Sequence, residues 1–142
     1  MELATRFNHA KAYSARSIYN LNSMYSAQLL DHFQNPRNAG EVPDADAIAE
    51  IENPACGDVL RLTLKIKSGR IAEIRFKAKG CVPSMACASA ITELVAGQTP
   101  RESRALKRDT LVAAVGGLPQ ASTHAAQLAL DALSAALSQL QL

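Results

Sequence analysis

An α+β fold, a three-stranded antiparallel sheet with helices packed on one face, follows from three observations. Residues 47–52, 59–67 and 71–79 alternate apolar and polar side chains with a period of two, the mark of half-buried strands. After Gly80 the period becomes helical and stays so to the C-terminus. Strands first and helices after place the helices on the apolar face of one sheet.

The first element is a short helix over YSAQLLDHFQ, residues 25–34. Ser26 is positioned to cap it, and Leu29, Leu30 and Phe33 are spaced to dock on a core. NPRNAG then stops it: Pro36, Asn38 and Gly40 are turn residues, and Pro43, Asp44 and Asp46 extend the loop. AIAEIE begins the sheet. VLRLTLKIK sets Leu60, Leu62, Leu64 and Ile66 against Arg61, Thr63, Lys65 and Lys67, and IAEIRFKAK sets Ala72, Ile74, Phe76 and Ala78 against Glu73, Arg75, Lys77 and Lys79. SGR joins these two in a hairpin, which leaves the sheet one wet face.

PSMACASAITELVAG predicts the next helix, ended by Gly97. TPRESRALKRDTLVAAV reads as one or two short helices, Thr99 capping ahead of Pro100 and Asp109 starting the second. Gly116, Gly117 and Pro119 break the chain. A long helix follows from about Ser122 to the end, with Leu130, Leu133, Leu137 and Leu140 as its apolar stripe.

A chain of 142 residues, 48% hydrophobic, is large enough for one domain with a real core. Its apolar runs are too short and broken to span a bilayer of roughly 30 Å, so a soluble protein without membrane association is expected. Three cysteines suit a reducing cytoplasm better than a disulfide scaffold. Arg6, Lys11 and Arg16 against Glu2 account for the whole net charge of +2, and residues 24–142 are neutral. Without an Arg/Lys stripe interleaved with aromatics, nucleic-acid binding is not expected. Residues 1–23 are acid-poor and carry Arg and Ser, as transit peptides do. They read instead as a disordered arm or an over-long start before Met24, and residues 24–142 as the domain.

Candidate chemistry gathers at the ends of strands. In NPACGD, Cys56 and Asp58 share a tight loop that can aim a thiolate and a carboxylate at one point; a small apolar filler and a turn residue are the plain alternatives. Cys81 stands at a strand-to-helix junction, where the free N–H groups of a helix beginning near Pro83 would stabilise a thiolate. His124 falls in the first turn of the last helix, away from the leucine stripe and on a side shared with Leu128; a surface or core histidine is the alternative. Cys56, Asp58, Cys81 and His124 together would make a donor set for tetrahedral zinc or for part of an iron-sulfur shell. By its helical angle, Cys87 flanks the apolar face of its helix and reads as a buried structural cysteine.

YSAQLLDHFQNPRNAG, NPACGD, the hairpin, KGC before a Ser/Ala-rich helix, and LPQASTHA before an Ala/Leu helix occur in that order from Met24 onward. This combination resembles the IscU/NifU-type (SufU/IscU-like) iron-sulfur cluster assembly scaffolds and implies their N-terminal-domain fold. The resemblance implies Cys56, Asp58, Cys81 and His124 as metal ligands, with Cys56 and Cys81 holding iron or a [2Fe-2S] cluster. It also implies a binding protein, not an enzyme, that takes sulfur from a cysteine desulfurase and serves apo iron-sulfur proteins. Two positions depart from the family. Its third cysteine is Ala125, which weakens direct persulfide receipt, and its chaperone-recognition lysine is Ser122, which weakens chaperone contact. With one thiolate fewer, a zinc-binding paralogue of structural or regulatory role is the alternative, and a zinc-assisted sulfurtransferase a more distant one.

Overall fold

The computed structural model describes residues 24–55 and 57–140. Residues 1–23, on which the reading as an arm falls, lie outside them, as do Cys56, Gln141 and Leu142. Among the described residues the element order is α1 (Ala27–Gln34), β1 (Ala47–Asn53), β2 (Asp58–Lys67), β3 (Arg70–Lys79), α2 (Val82–Val95), α3 (Pro100–Arg104), α4 (Arg108–Ala114), a 3-10 turn (Gln120–Ser122) and α5 (His124–Leu137). The strands form an antiparallel sheet in the order β1-β2-β3. The expected α+β architecture is the one observed.

Local chemistry accounts for the boundaries. Ser26 Oγ accepts from the Leu29 N–H at 2.9 Å and caps α1. Ser68 and Gly69 both have positive φ, the conformation of a tight two-residue hairpin turn, and join β2 to β3. Thr99 and Glu102 form a reciprocal capping box at the start of α3.

Three expectations are corrected. Ala72 is exposed and Ile71 fully buried, because an irregularity between Lys65 and Ile66 pairs Lys65 with Glu73 but Ile66 with Ile71, leaving Ala72 as the bulged residue. The nominally wet face of the sheet is partly covered. The 41–46 segment crosses it: Glu41 pairs with Arg61 at 2.6 Å, the Val42 N–H donates to Thr63 Oγ1 at 2.8 Å, and Lys65 Nζ donates to the Asp44 carbonyl at 2.9 Å. Thr63 and Val42 are buried in consequence. Finally, α5 runs from His124 to Leu137, and its buried face is Ala125, Ala126, Leu128, Ala129, Ala132, Leu133, Ala136 and Leu137. Leu130 and Leu140 are only partly buried, since the alanines let α5 sit close against its neighbours and carry the contact.

The central helix α2 is buried from Val82 through Thr92 on all sides. It packs on β3 on one side and on α1, α4 and α5 on the others. Its Ala, Ser and Cys side chains make that close approach possible. Buried hydroxyls on α2 fasten α1 and the following loop. Ser89 Oγ accepts from the Arg37 N–H at 2.8 Å and lies 2.8 Å from His32 Nδ1. The other ring nitrogen, Nε2, lies 3.7 Å from Glu93 Oε1. Burial, reinforced by Arg37, holds His32 below its ordinary value of 6.5.

This lock has a pH signature. As pH falls, the unfolded chain takes up the His32 proton before the folded one, so the stability due to neutral His32 is complete above its ordinary 6.5 and declines below it. Urea midpoints measured from about pH 8 to about pH 5 should fall on the acid side, and His32→Gln should flatten that slope. Ser89→Ala should cost about 1–3 kcal/mol in the same assay, by leaving the Arg37 N–H unpaired.

Candidate metal centre

Antiparallel register brings the site together. Val59 of β2 pairs with Lys79 of β3, so Asp58 and Gly80, one step outward on each strand, meet at the same corner of the sheet. The chain then turns at Cys81, the N-cap of α2, with Pro83 in the first helical turn. Asp58 is buried, and its carboxylate is held at both oxygens. Oδ1 accepts from the Cys81 N–H at 3.1 Å, and Oδ2 accepts from the Ser84 hydroxyl at 2.7 Å. Cys81 Sγ lies 3.3 Å from Asp58 Oδ2 and 3.1 Å from Ser84 Oγ.

His124, the first residue of α5, completes the cluster from the other side. Its Nε2 is 3.6 Å from Asp58 Oδ2 and 3.9 Å from Cys81 Sγ. No side chain caps α5; instead Thr123 Oγ1 donates to the Gln120 carbonyl, and Arg108 Nη2 donates to the Thr123 carbonyl at 3.1 Å. These contacts fix the start of α5 where neither Ser122 nor Thr123 does so by capping.

Asp58, Cys81 and His124 each offer a ligand atom, and those atoms lie within 4.8 Å of one another. One sulfur, one nitrogen and one oxygen at that separation fit a transition-metal ion, or one edge of a cluster, with little rearrangement. The His124 side chain is 36% exposed and the Asp58 side chain only 4%, so the site opens to solvent on the histidine side.

Three of the four sequence-predicted ligands therefore converge. Cys56, the fourth, lies outside the described residues. Its loop is shaped by Asn53, whose Oδ1 accepts from the Ala55 N–H at 3.0 Å and whose carbonyl accepts from the Gly57 N–H at 2.7 Å. Two residues escaped the sequence reading. Ser84 stands three positions after Cys81, the helical spacing at which a side chain reaches back to its N-cap. Gly80 has φ +148°, and a Cβ built there would fall 2.1 Å from Asp58 Oδ1. Its place between strand and cysteine was the available signal.

The expected thiolate stabilisation at the helix N-terminus is outweighed. Burial pushes the Cys81 thiol up; the Ser84 hydroxyl and N–H pull against it, and the neighbouring Asp58 carboxylate adds to the rise. Cys87 is fully buried, and burial pushes its thiol up to about 12. It belongs to the core, as its helical angle implies.

The NifU-like N-terminal domain family matches residues 24–141. The chain belongs to that family. It is 43% identical over 114 residues to the iron-sulfur cluster assembly scaffold protein IscU 1 of Archaeoglobus fulgidus, which covers 80% of this chain and 74% of that one. It is 36% identical over 115 residues to the iron-sulfur cluster assembly scaffold protein IscU of Aquifex aeolicus, covering 80% of this chain and 73% of that one. Both relatives are named as scaffold proteins. The crystal structure of a nitrogen-fixing NifU-like protein (N-terminal) from Brucella abortus matches with a TM-score of 0.67 over 84% of this chain and 95% of that one; at 22% identity it bears on the fold alone. Among the described residues no helix is long and apolar enough to cross a membrane.

Gly80→Ala should displace the Asp58 carboxylate and strain the backbone, costing about 1–3 kcal/mol in urea unfolding and most of the metal affinity in a cobalt titration. Cys87→Ala should leave metal binding unchanged. In a thiol-modification time course on the native protein, Cys87 should react only as fast as the protein unfolds, whereas Cys81 should react directly.

Proposed function

We propose that this chain is an iron-sulfur cluster assembly scaffold or carrier, which binds iron or a [2Fe-2S] cluster and passes it to apo-proteins. Cys56, Asp58, Cys81 and His124 are its ligands in this reading. The observation that carries it is the convergence of Asp58, Cys81 and His124 donor atoms in a chain of the NifU-like family.

Each donor has a task suited to a cargo site. Cys81 supplies a soft thiolate, the donor iron in a cluster prefers. Asp58 supplies a harder oxygen, held in place by its two hydrogen bonds, and a carboxylate releases a cluster more readily than a thiolate does. His124, far more exposed than Asp58, stands where cargo enters and leaves. A cysteine desulfurase supplies the sulfur, and apo iron-sulfur proteins receive the product. Ala125 removes the thiolate that follows the histidine in the family pattern, which supports a labile carrier more than a durable cluster store.

A zinc site is the second reading, favoured by the same donor set. Among the described residues it holds one sulfur beside a nitrogen and an oxygen, a mixture that suits zinc.

Anaerobic reconstitution with iron and sulfide, followed by visible absorption and metal analysis, separates the two. The scaffold reading expects cluster absorbance that is lost in Cys56→Ala and Cys81→Ala, is reduced several-fold in stability in His124→Ala, and persists in Cys87→Ala. Ala125→Cys should slow cluster loss to a chelator. One equivalent of tightly held zinc, with no cluster under any condition, would replace the scaffold reading with the zinc one.

A further inference from the structure

Ser84 is a buried polar side chain that touches two of the proposed ligands and is not itself one of them. It stands at the third residue of α2, where a side chain folds back over the N-cap. Its Oγ is 2.7 Å from Asp58 Oδ2 and 3.1 Å from Cys81 Sγ, and the residue is 4% exposed. A hydroxyl has one proton to give and can receive two. In the metal-free protein that proton goes to Asp58 Oδ2, while the Cys81 S–H donates to Oδ2 or to Ser84 Oγ.

Metal binding changes this arithmetic. On ligating a metal, Cys81 would release its S–H proton to solvent and become a thiolate with a need for donors, and the metal would compete for the lone pairs of the Asp58 carboxylate. Ser84 is the neutral donor within reach of both atoms. Rotation about its Cβ–Oγ bond moves only the hydroxyl proton, from the carboxylate oxygen to the sulfur, and no heavy atom has to shift. The carboxylate lone pair is thereby freed and the thiolate gains a hydrogen bond in a buried setting.

We propose that Ser84 is a positioning residue of the metal centre, whose hydroxyl holds Asp58 in the metal-free protein and turns to the Cys81 sulfur when a transition metal binds. The proposal rests on the metal-site reading above. Hydrogen bonds to a coordinating sulfur are a general means of tuning affinity and metal-to-sulfur electronics, and removing such outer contacts typically costs 10–100-fold in affinity.

Anaerobic titration of the full chain with Co²⁺, read by its sulfur-to-cobalt charge-transfer absorption, tests this. The wild-type protein should show the band, Cys81→Ala should weaken it, and Cys56→Ala combined with Cys81→Ala should abolish it. Ser84→Ala should keep the band but move it to lower energy and weaken Co²⁺ binding by roughly tenfold, as loss of one hydrogen bond to a charged sulfur implies. Ser84→Thr, which keeps the hydroxyl, should restore both band position and affinity. An alanine variant identical to wild type in both readouts, or a threonine variant indistinguishable from alanine, would overturn the role of Ser84 while leaving the metal site intact. No thiolate band in the wild-type protein would overturn the metal-site reading itself, and this proposal with it.

Discussion

Asp58 packs its carboxylate into the volume that a side chain at residue 80 would fill, with Oδ1 on the Cys81 N–H and Oδ2 on the Ser84 hydroxyl. That contact joins the start of β2, the end of β3 and the first turn of α2 in one place. It is possible only because the hairpin register sets Asp58 opposite Gly80 and because residue 80 has no Cβ. With the carboxylate so placed, the thiol of Cys81 and the imidazole of His124 have a common point to face. A register shifted by one residue would turn Asp58 to the other face of the sheet and dissolve the cluster.

The rest of the fold holds α2 and α5 at the distance this corner needs. α2 is buried on all sides from Val82 through Thr92 and carries many small residues there, and α5 approaches with a face made largely of alanines. Close packing of small side chains leaves little room for adjustment, so the helix starts that carry Cys81 and His124 are fixed relative to one another. The polar groups carried inward by this arrangement are satisfied: among the described residues no buried side-chain nitrogen or oxygen lacks a hydrogen-bond partner. Ser84 holds Asp58 and Ser89 the α1 lock, so the same helix fastens the Asp58 corner at its beginning and the 35–38 loop further along.

Much of the fold was legible from periodicity. The strands, the hairpin turn, the caps at Ser26 and Thr99 and the core position of Cys87 follow from local patterns, because each is decided by neighbours within a few residues. The misreadings share a physical origin in non-local contacts. Ala72 looks inward-facing until the bulge at Lys65 and Ile66 is known. Thr63 looks solvent-facing until the 41–46 segment crosses it. The leucines of the last helix look like its buried stripe, although alanines carry much of the contact, because hydrophobicity ranks leucine higher while close approach selects the smaller side chain.

The site divides in the same way. Residue types, their order and the alanine at 125 are properties of the chain itself, and they suffice to place it beside the iron-sulfur scaffolds and to nominate Asp58, Cys81 and His124. Cys56 was nominated on the same footing. What the sequence could not determine is that Ser84 belongs with them, that Gly80 is required by Asp58 and not by its turn alone, and that burial and the Asp58 carboxylate push the Cys81 thiol up against the pull of the Ser84 hydroxyl and N–H. Those features depend on distances between residues more than 20 positions apart in the chain, as in the separation of 23 positions between Asp58 and Cys81 and of 43 between Cys81 and His124. Only packing of the sheet against α2 and α5 sets such distances, since local propensity ends within a turn or a strand.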